Sequence, residues 1–284
     1  MATGTQTVGG AASPDAGGRF LWRGPAVALL AGPLLGAIAA WGAHAAEPYF
    51  APPVIFPLVV GLILGAMLVG LLRTVQLAHR PMIWTGVVLA AVVAVAGQHY
   101  LAYRAARAAA LRDAEKYQEA LRAFPEQVQG RLPRAPRNPL DYLEREALRG
   151  RPLFGQYRAR GWLAWLSWGV DGLLLLAAAV LVVLPAAGQP YCNRCMSWYC
   201  TTRSGRLDGL CARRLAEAAG AEGPAQAEDV RSARYRLLSC RSGCGPTGFE
   251  LVWEDRGHNA SLVRGWLDAE TRDRVTSILE DDKP

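Results

Sequence analysis

Four long apolar segments set the strongest limit on what this chain can fold into. They span residues 25–45, 53–72, 82–103 and 162–184, and none has Lys or Arg in its interior. A helix needs about 20 mostly apolar residues to cross the ~30 Å hydrocarbon core of a bilayer. The segments therefore predict a mainly α membrane protein with four transmembrane helices.

The composition changes along the chain and predicts three regions. Residues 1–24 are rich in Gly, Ala, Ser and Thr, which predicts a disordered tail. Residues 25–186 would form the four-helix transmembrane domain, with a helical loop at 104–161. Residues 187–284 hold all six cysteines and predict a soluble α+β domain. Because the first apolar segment is long for a signal peptide, we expect a retained anchor; cleavage after Ala43-His44-Ala45 is the alternative.

Small residues recur at four-residue spacing in two of the segments. Gly32 and Gly36 lie in the first, and Gly61 and Gly65 lie in the second. In lipid, where close packing drives helix association, this spacing lets two backbones approach each other. The pattern predicts helix–helix contacts at both pairs.

The loop between the third and fourth segments carries helix signals of its own. The third helix is expected to continue as an amphipathic helix until Pro125. Asn138-Pro139-Leu140-Asp141 then combines an N-cap, a Pro at the first position and an acid in the first turn. A second helix should begin there and end at Gly150, which gives a helical hairpin.

The distribution of basic residues predicts the orientation. Arg19 and Arg23 precede the first segment, Arg73 and Arg80 flank the second loop, and the first loop has no basic residue. The positive-inside rule then places both termini in the cytoplasm, whereas the thirteen basic residues of loop 104–161 argue for the reverse. Because the earlier helices usually set the orientation, we keep the termini inside. Only two of the 31 basic residues are Lys, a usage that favours a bacterium and its inner membrane.

Asp171 lies near the middle of the fourth segment. A charge at that depth costs about 3 kcal/mol on insertion scales, so such a residue is a candidate for a proton or ion relay. The interpretation that we favour is a protonated carboxyl group that donates one hydrogen bond to another helix, since no other segment offers a deep Lys or Arg as a partner.

Two closely spaced cysteine pairs point to a metal site. Cys192 and Cys195 form a CxxC motif, and Cys240 and Cys244 form a CxxxC motif beside two glycines. Tetrahedral Zn²⁺ takes four soft ligands, and a short gap lets both thiolates of a pair reach one ion. The four residues predict a structural zinc site of the zinc-ribbon type. Cys200 has no assigned role.

The segments around the cysteines predict a small α+β module. Five apolar residues should share one helical face that packs in the core: Leu207, Leu210, Cys211, Leu215 and Ala218. Cys211 is therefore expected to be a buried core thiol. Residues 234–238 and the alternating Phe249, Leu251 and Trp253 predict two strands, with the second cysteine pair in the turn between them. Asp268 should cap a final helix.

The orientation decides the chemistry of the cysteines. In the cytoplasm metal binding is favoured, whereas outside the cell the six cysteines would form disulfides or a redox pair. The leading hypothesis is a non-enzymatic, multi-pass protein that anchors a zinc-stabilised module for a protein partner. The alternatives are a membrane thiol oxidoreductase that uses Cys192 and Cys195, and a small transporter that uses Asp171. Arg at the membrane flanks accounts for the net charge of +7 without a nucleic acid partner.

The run from Pro190 to Tyr199, which contains CxxCxxW directly after a Trp-rich last segment, resembles uncharacterised four-span bacterial membrane proteins. The likeness extends to Phe56-Pro57, Gly61, Gly65 and His99-Tyr100 in the second and third segments. It implies the architecture and no activity.

Overall fold

A computed structural model of the chain describes residues 5–8, 23–49, 52–123, 134–152, 157–221, 232–254 and 262–281. These residues belong to two compact units. The helical unit comprises residues 21–75 and 80–187, and the cysteine unit comprises residues 1–20, 76–79 and 188–284. In chain order the elements are β1 (Thr5–Val8), α1 (Arg23–Ala46), α2 (Ile55–Val75), α3 (Arg80–Ala123), α4 (Pro139–Arg149), β2 (Arg151–Pro152), β3 (Arg158–Ala159), α5 (Trp162–Ala187), β4 (Tyr191–Cys192), β5 (Ser197–Trp198), β6 (Cys200–Asp208), α6 (Gly209–Ala218), β7 (Ser232–Ser239), β8 (Thr247–Glu254), β9 (Leu262–Leu267) and α7 (Ala269–Asp281).

The helical unit contains four helices that are long and apolar enough to cross a membrane: α1, α2, α3 and α5. They coincide with the four predicted apolar segments to within a few residues at each start, and α3 continues well past its apolar part to Ala123. Each helix contains a long apolar run, which explains why hydropathy alone finds them although α1 contains Gly32-Pro33.

Glycines hold the helices close together in two pairs. A Cβ on Gly36 would collide with the carbonyl group of Ala90, so α1 and α3 touch through their backbones. A Cβ on Gly61 would collide with the carbonyl group of Leu175 in α5, and one on Gly65 would lie 2.8 Å from Cβ of Val182. The prediction from the four-residue glycine spacing is confirmed, because only a missing side chain allows this approach.

The helix after the third apolar segment has the predicted ends. The side chain of Asn138 accepts a hydrogen bond from the backbone N–H of Asp141 at 2.8 Å, and the helix ends at Gly150 with φ of 87°. Pro125 lies outside the described residues. On the continuation of α3 the predicted apolar face is open, since Leu111 and Leu121 are 50% and 42% exposed.

The cysteine unit is built on a five-stranded sheet in the order β1-β9-β8-β7-β6. β1 pairs with β9 in parallel, and the other neighbours are antiparallel. One face packs on α6 and α7 through Phe249, Leu251 and Trp253, which are at most 1% exposed. Their alternation along β8 confirms the predicted strand, and Cys211 lies in the same core at 8% exposure, as expected.

Several details of this unit differ from the prediction. The tail was expected to be disordered by composition, but Thr5–Val8 form a strand because β9 offers an edge for pairing. Leu207 belongs to β6, since Asp208 caps α6 by accepting from the backbone N–H of Cys211 at 2.7 Å. Leu210 then lies in the first turn and is 72% exposed rather than buried. Asp268 caps α7 as predicted, accepting from the N–H of Thr271 at 2.8 Å.

Candidate metal centre

Two tight turns present the four paired cysteines. β4 and β5 form a short antiparallel hairpin in which Cys192 pairs with Ser197, so the CxxC motif lies in its turn. The second pair lies between the end of β7 at Ser239 and the start of β8 at Thr247. There the N–H of Gly243, which has φ of 62°, donates to the carbonyl oxygen of Cys240 at 2.9 Å. The predicted position of CxxxC in the turn of a β-hairpin is confirmed.

The structure brings the four sulfur atoms to one point. All of them lie within 4.8 Å of one another, and the Sγ of Cys244 is 3.6 Å from that of Cys192 and 3.7 Å from that of Cys240. Four thiolates bonded to one Zn²⁺ at about 2.3 Å would lie about 3.8 Å apart. The four cysteines are free thiols rather than disulfides. The group can therefore hold a metal ion with little movement.

The thiols of the group differ in how readily they lose a proton. Burial alone would raise the pKa of Cys195, but hydrogen bonds from Ser197, whose Oγ is 3.0 Å from its Sγ, and from the neighbouring thiols lower the pKa to about 6. Hydrogen bonding to Cys192 and burial raise the pKa of Cys244 to about 12. Cys195 is therefore a thiolate at neutral pH, and a cation would favour release of the proton that Cys244 keeps.

Aromatic residues cover the sulfur group from one side. Tyr199 is 3% exposed and its ring meets that of Trp266 edge to face at 5.2 Å. A Cβ on Gly245 would collide with the Tyr199 hydroxyl group and lie 3.5 Å from the Sγ of Cys192. Burial and then the charges of the cysteines, Cys192 foremost, raise the pKa of Tyr199, so its hydroxyl group stays protonated. The missing side chain at Gly245 leaves room for this hydroxyl group.

Hydrogen bonds between the two turns hold them together. A guanidinium nitrogen of Arg194 donates to the carbonyl oxygen of Cys244 at 3.3 Å, and the backbone N–H of Arg241 donates to the Oγ of Ser197 at 3.4 Å. Sequence patterns did not identify Ser197, Tyr199 or Gly245 as parts of the site. A serine two residues after CxxC and a glycine one residue after CxxxC were the only available signals.

The cysteines outside the two short pairs do not belong to the sulfur group. Cys200 is exposed, and its thiol donates to the carbonyl oxygen of Ser239 at 3.5 Å. The cysteine group therefore uses the two short pairs and leaves Cys200 and Cys211 aside.

Asp171 is ion-paired, contrary to the predicted protonated carboxyl group. Its Oδ2 lies 2.5 Å from a guanidinium nitrogen of Arg151, which also donates to the Oγ of Ser167 at 3.4 Å. The interpretation was wrong because the cation that pairs with Asp171 does not come from another apolar segment. Arg151 comes instead from the segment that follows α4, and its side chain reaches Asp171 in α5.

A scan of protein-family models and searches of curated proteins and solved structures find no significant match to this chain. The resemblance to four-span bacterial proteins with CxxCxxW stays a prediction.

Proposed function

We propose that this is a multi-pass protein of a bacterial inner membrane that anchors a zinc-stabilised module in the cytoplasm, where the module binds a protein partner. The observation that carries the proposal is the convergence of four thiol sulfurs from two separate turns within 4.8 Å. Two turns with four soft ligands and no open position are typical of structural rather than catalytic zinc sites.

Zinc suits both the ligands and their position in the fold. Cys192, Cys195, Cys240 and Cys244 would hold it as thiolates, and the ion would supply a cross-link between the β4–β5 turn and the β7–β8 turn. Metal binding of this kind contributes about 10–16 kcal/mol of apparent free energy at pH 7 in small zinc domains. The hairpin that holds the first turn has strands of only two residues, so a bound ion would stabilise this turn substantially.

The surface of the helical unit supports membrane insertion. Large apolar side chains are turned outward on its long helices, among them Leu30 at 73%, Trp41 at 68%, Leu173 at 67% and Leu181 at 67% exposure. Apolar area of that extent is unfavourable in water and favourable against lipid. The basic flanks of the short connections support cytoplasmic termini.

Cysteine labelling tests the location and the metal together, because Cys200 is exposed and outside the sulfur group. A membrane-impermeant maleimide is applied to intact spheroplasts, to lysed cells, and to lysed cells treated with a zinc chelator. We expect Cys200 to react only after lysis, with or without chelation. Cys195, with its lowered pKa, should react only after lysis and chelation, and a Cys200→Ser variant separates the two signals.

Two results would contradict the proposal. Reaction of Cys200 in intact spheroplasts would place the cysteine unit outside the cytoplasm. Reaction of Cys195 in lysed cells without chelation would mean that no metal protects the sulfur group.

One observation favours thiol–disulfide exchange as a second candidate function. The pKa of Cys195 is lowered to about 6 and its side chain is partly exposed, as attacking thiols require. Under this alternative Cys195 would attack a substrate disulfide, the substrate would leave as two thiols, and Cys192 and Cys195 would end as a disulfide; Cys240→Ser would retain activity in a disulfide-reduction assay. The zinc proposal predicts no such activity.

The transporter alternative, which uses Asp171, stays a prediction. In the structure Asp171 is paired with Arg151.

A further inference from the structure

The helical unit contains a partly open cavity of about 330 Å³ that the proposed function does not use. It lies between α2, α3 and α5, and residues of the α1–α2 connection, of α4 and of the segment after α4 also line it. Cavities of about 300–1,000 Å³ are the usual size of small-molecule sites, and this one is at the lower limit. It has room for a molecule built on a single ring.

The walls of the cavity separate into an apolar part and a polar part. Phe56, Val60, Val95 and Leu175 supply the apolar surface. The polar part combines the Arg151–Asp171 ion pair with Gln98 and His99, and the ring of His99 meets Trp168 edge to face at 5.6 Å. Polar and apolar groups contribute about equally to the lining, so the cavity suits a molecule that has both.

The charges around the cavity restrict the head group of the ligand. Glu47 and Glu146 also line it and are more exposed than the ion pair, with 48% and 34% of their side chains accessible. Glu146 is paired with Arg149 at 2.7 Å, so of the two it is Glu47 that disfavours an anion on its way in. Inside, the Arg151–Asp171 pair has no net charge and favours neither an anion nor a cation. Donors on Arg151 and Gln98 remain suited to a neutral hydrogen-bond acceptor.

We propose that this cavity binds a neutral, single-ring amphipathic molecule, with a carbonyl-type acceptor against Arg151 and Gln98 and an apolar ring against Phe56 and Leu175. The inference is independent of the zinc site, because every lining residue belongs to the helical unit.

Two glycines of α5 provide a matched test. Gly172 lines the cavity, and a Cβ there would make only ordinary contacts with the methyl groups of Val95 at 3.7 and 4.0 Å. Gly169, one helical turn earlier, has nothing within 4 Å of such a Cβ and lies outside the lining. Gly172→Val should therefore fill part of the cavity, with a Cβ that the backbone accommodates, and Gly169→Val is its control.

The probes are 4-butylbenzamide, 4-butylbenzylamine and 4-butylbenzoate, which share one body and differ in head-group charge. Binding to the full-length protein in phospholipid nanodiscs is measured by equilibrium dialysis, with empty nanodiscs as background. We expect saturable binding of the amide, at least tenfold weaker in Gly172→Val and unchanged in Gly169→Val. Thermal unfolding of each variant verifies its fold, and Gly172→Ala replaces Gly172→Val if the latter does not fold.

Other outcomes overturn the inference. Absence of saturable amide binding, or equal effects of the two valine variants, would mean that the cavity is not the site. Tighter binding of the amine or of the benzoate than of the amide would mean that the ligand is charged.

Discussion

At the scale of single residues, Tyr199 and Gly245 decide how the sulfur group is covered. Since a Cβ on Gly245 would collide with the Tyr199 hydroxyl group, Gly245→Ala should destabilise the cysteine unit by about 1–3 kcal/mol, the usual cost of overpacking. Tyr199→Phe removes the oxygen, and the nearest ring carbon would then be 3.4 Å away. The double variant should therefore recover at least half of the free energy of unfolding that Gly245→Ala loses, as measured by denaturant unfolding. An additive double variant would contradict this contact.

The lowered pKa of Cys195 predicts how the stability of the metal-free unit depends on pH. In the folded state the pKa is about 6 instead of its ordinary 9.0, so the stabilisation is complete above about pH 9 and is lost as the pH falls towards 6. The raised pKa of Cys244, about 12, acts in the opposite sense and reduces stability above pH 9.

We therefore expect the metal-free protein to gain stability from pH 6 to 9 relative to a Cys195→Ser variant. Urea unfolding with chelator present, repeated at several pH values, measures the difference. A difference that does not change over this range would show that the Cys195 thiolate is not stabilised by its neighbours.

Individual site residues could be predicted from the sequence where their spacing alone indicates a common ligand. Four cysteines in two short pairs predicted the sulfur group, because a pair separated by two or three residues can reach a common ion. Ser197 and Tyr199 could not be assigned in this way. Their contacts with the sulfurs exist only once β4 and β5 pair and bring the first turn against the second.

At the scale of elements, the close approach of α2 and α5 depends on Gly61. A side chain there would meet the carbonyl group of Leu175 and the Cβ of Ala178, whereas a Cβ on Gly70 of the same helix has nothing within 4 Å. Gly61→Val should lower stability by about 1–3 kcal/mol and Gly70→Val should have little effect. Thermal unfolding of both variants in nanodiscs measures this, and equal midpoints would contradict the predicted contact.

The helices and strands differ in how specific their sequence signals are. α4 was predicted to within a residue at both ends because Asn138, Pro139 and Gly150 are specific end signals. β6 was missed because it is an edge strand whose side chains are mostly exposed, so that Leu207 is its one buried residue and no alternation results. β1 was missed since its partner, β9, lies more than 250 residues later in the chain.

At the scale of the whole molecule, the sequence separates an apolar four-helix unit from a cysteine-bearing sheet unit, and the structure contains both. Composition could predict that division because apolar and charged residues are segregated along the chain. It could not predict the Arg151–Asp171 pair or the cavity beside it, which depend on how the segment after α4 folds back.

The central claim is that the four converging cysteines hold one zinc ion, and the metal content of the purified protein tests it most directly. Zinc per chain is determined by elemental mass spectrometry for the full-length protein and for the Cys240→Ser and Cys200→Ser variants. We predict about one zinc in the parent and in Cys200→Ser, and almost none in Cys240→Ser. A parent protein without zinc, or equal zinc in both variants, would contradict the claim.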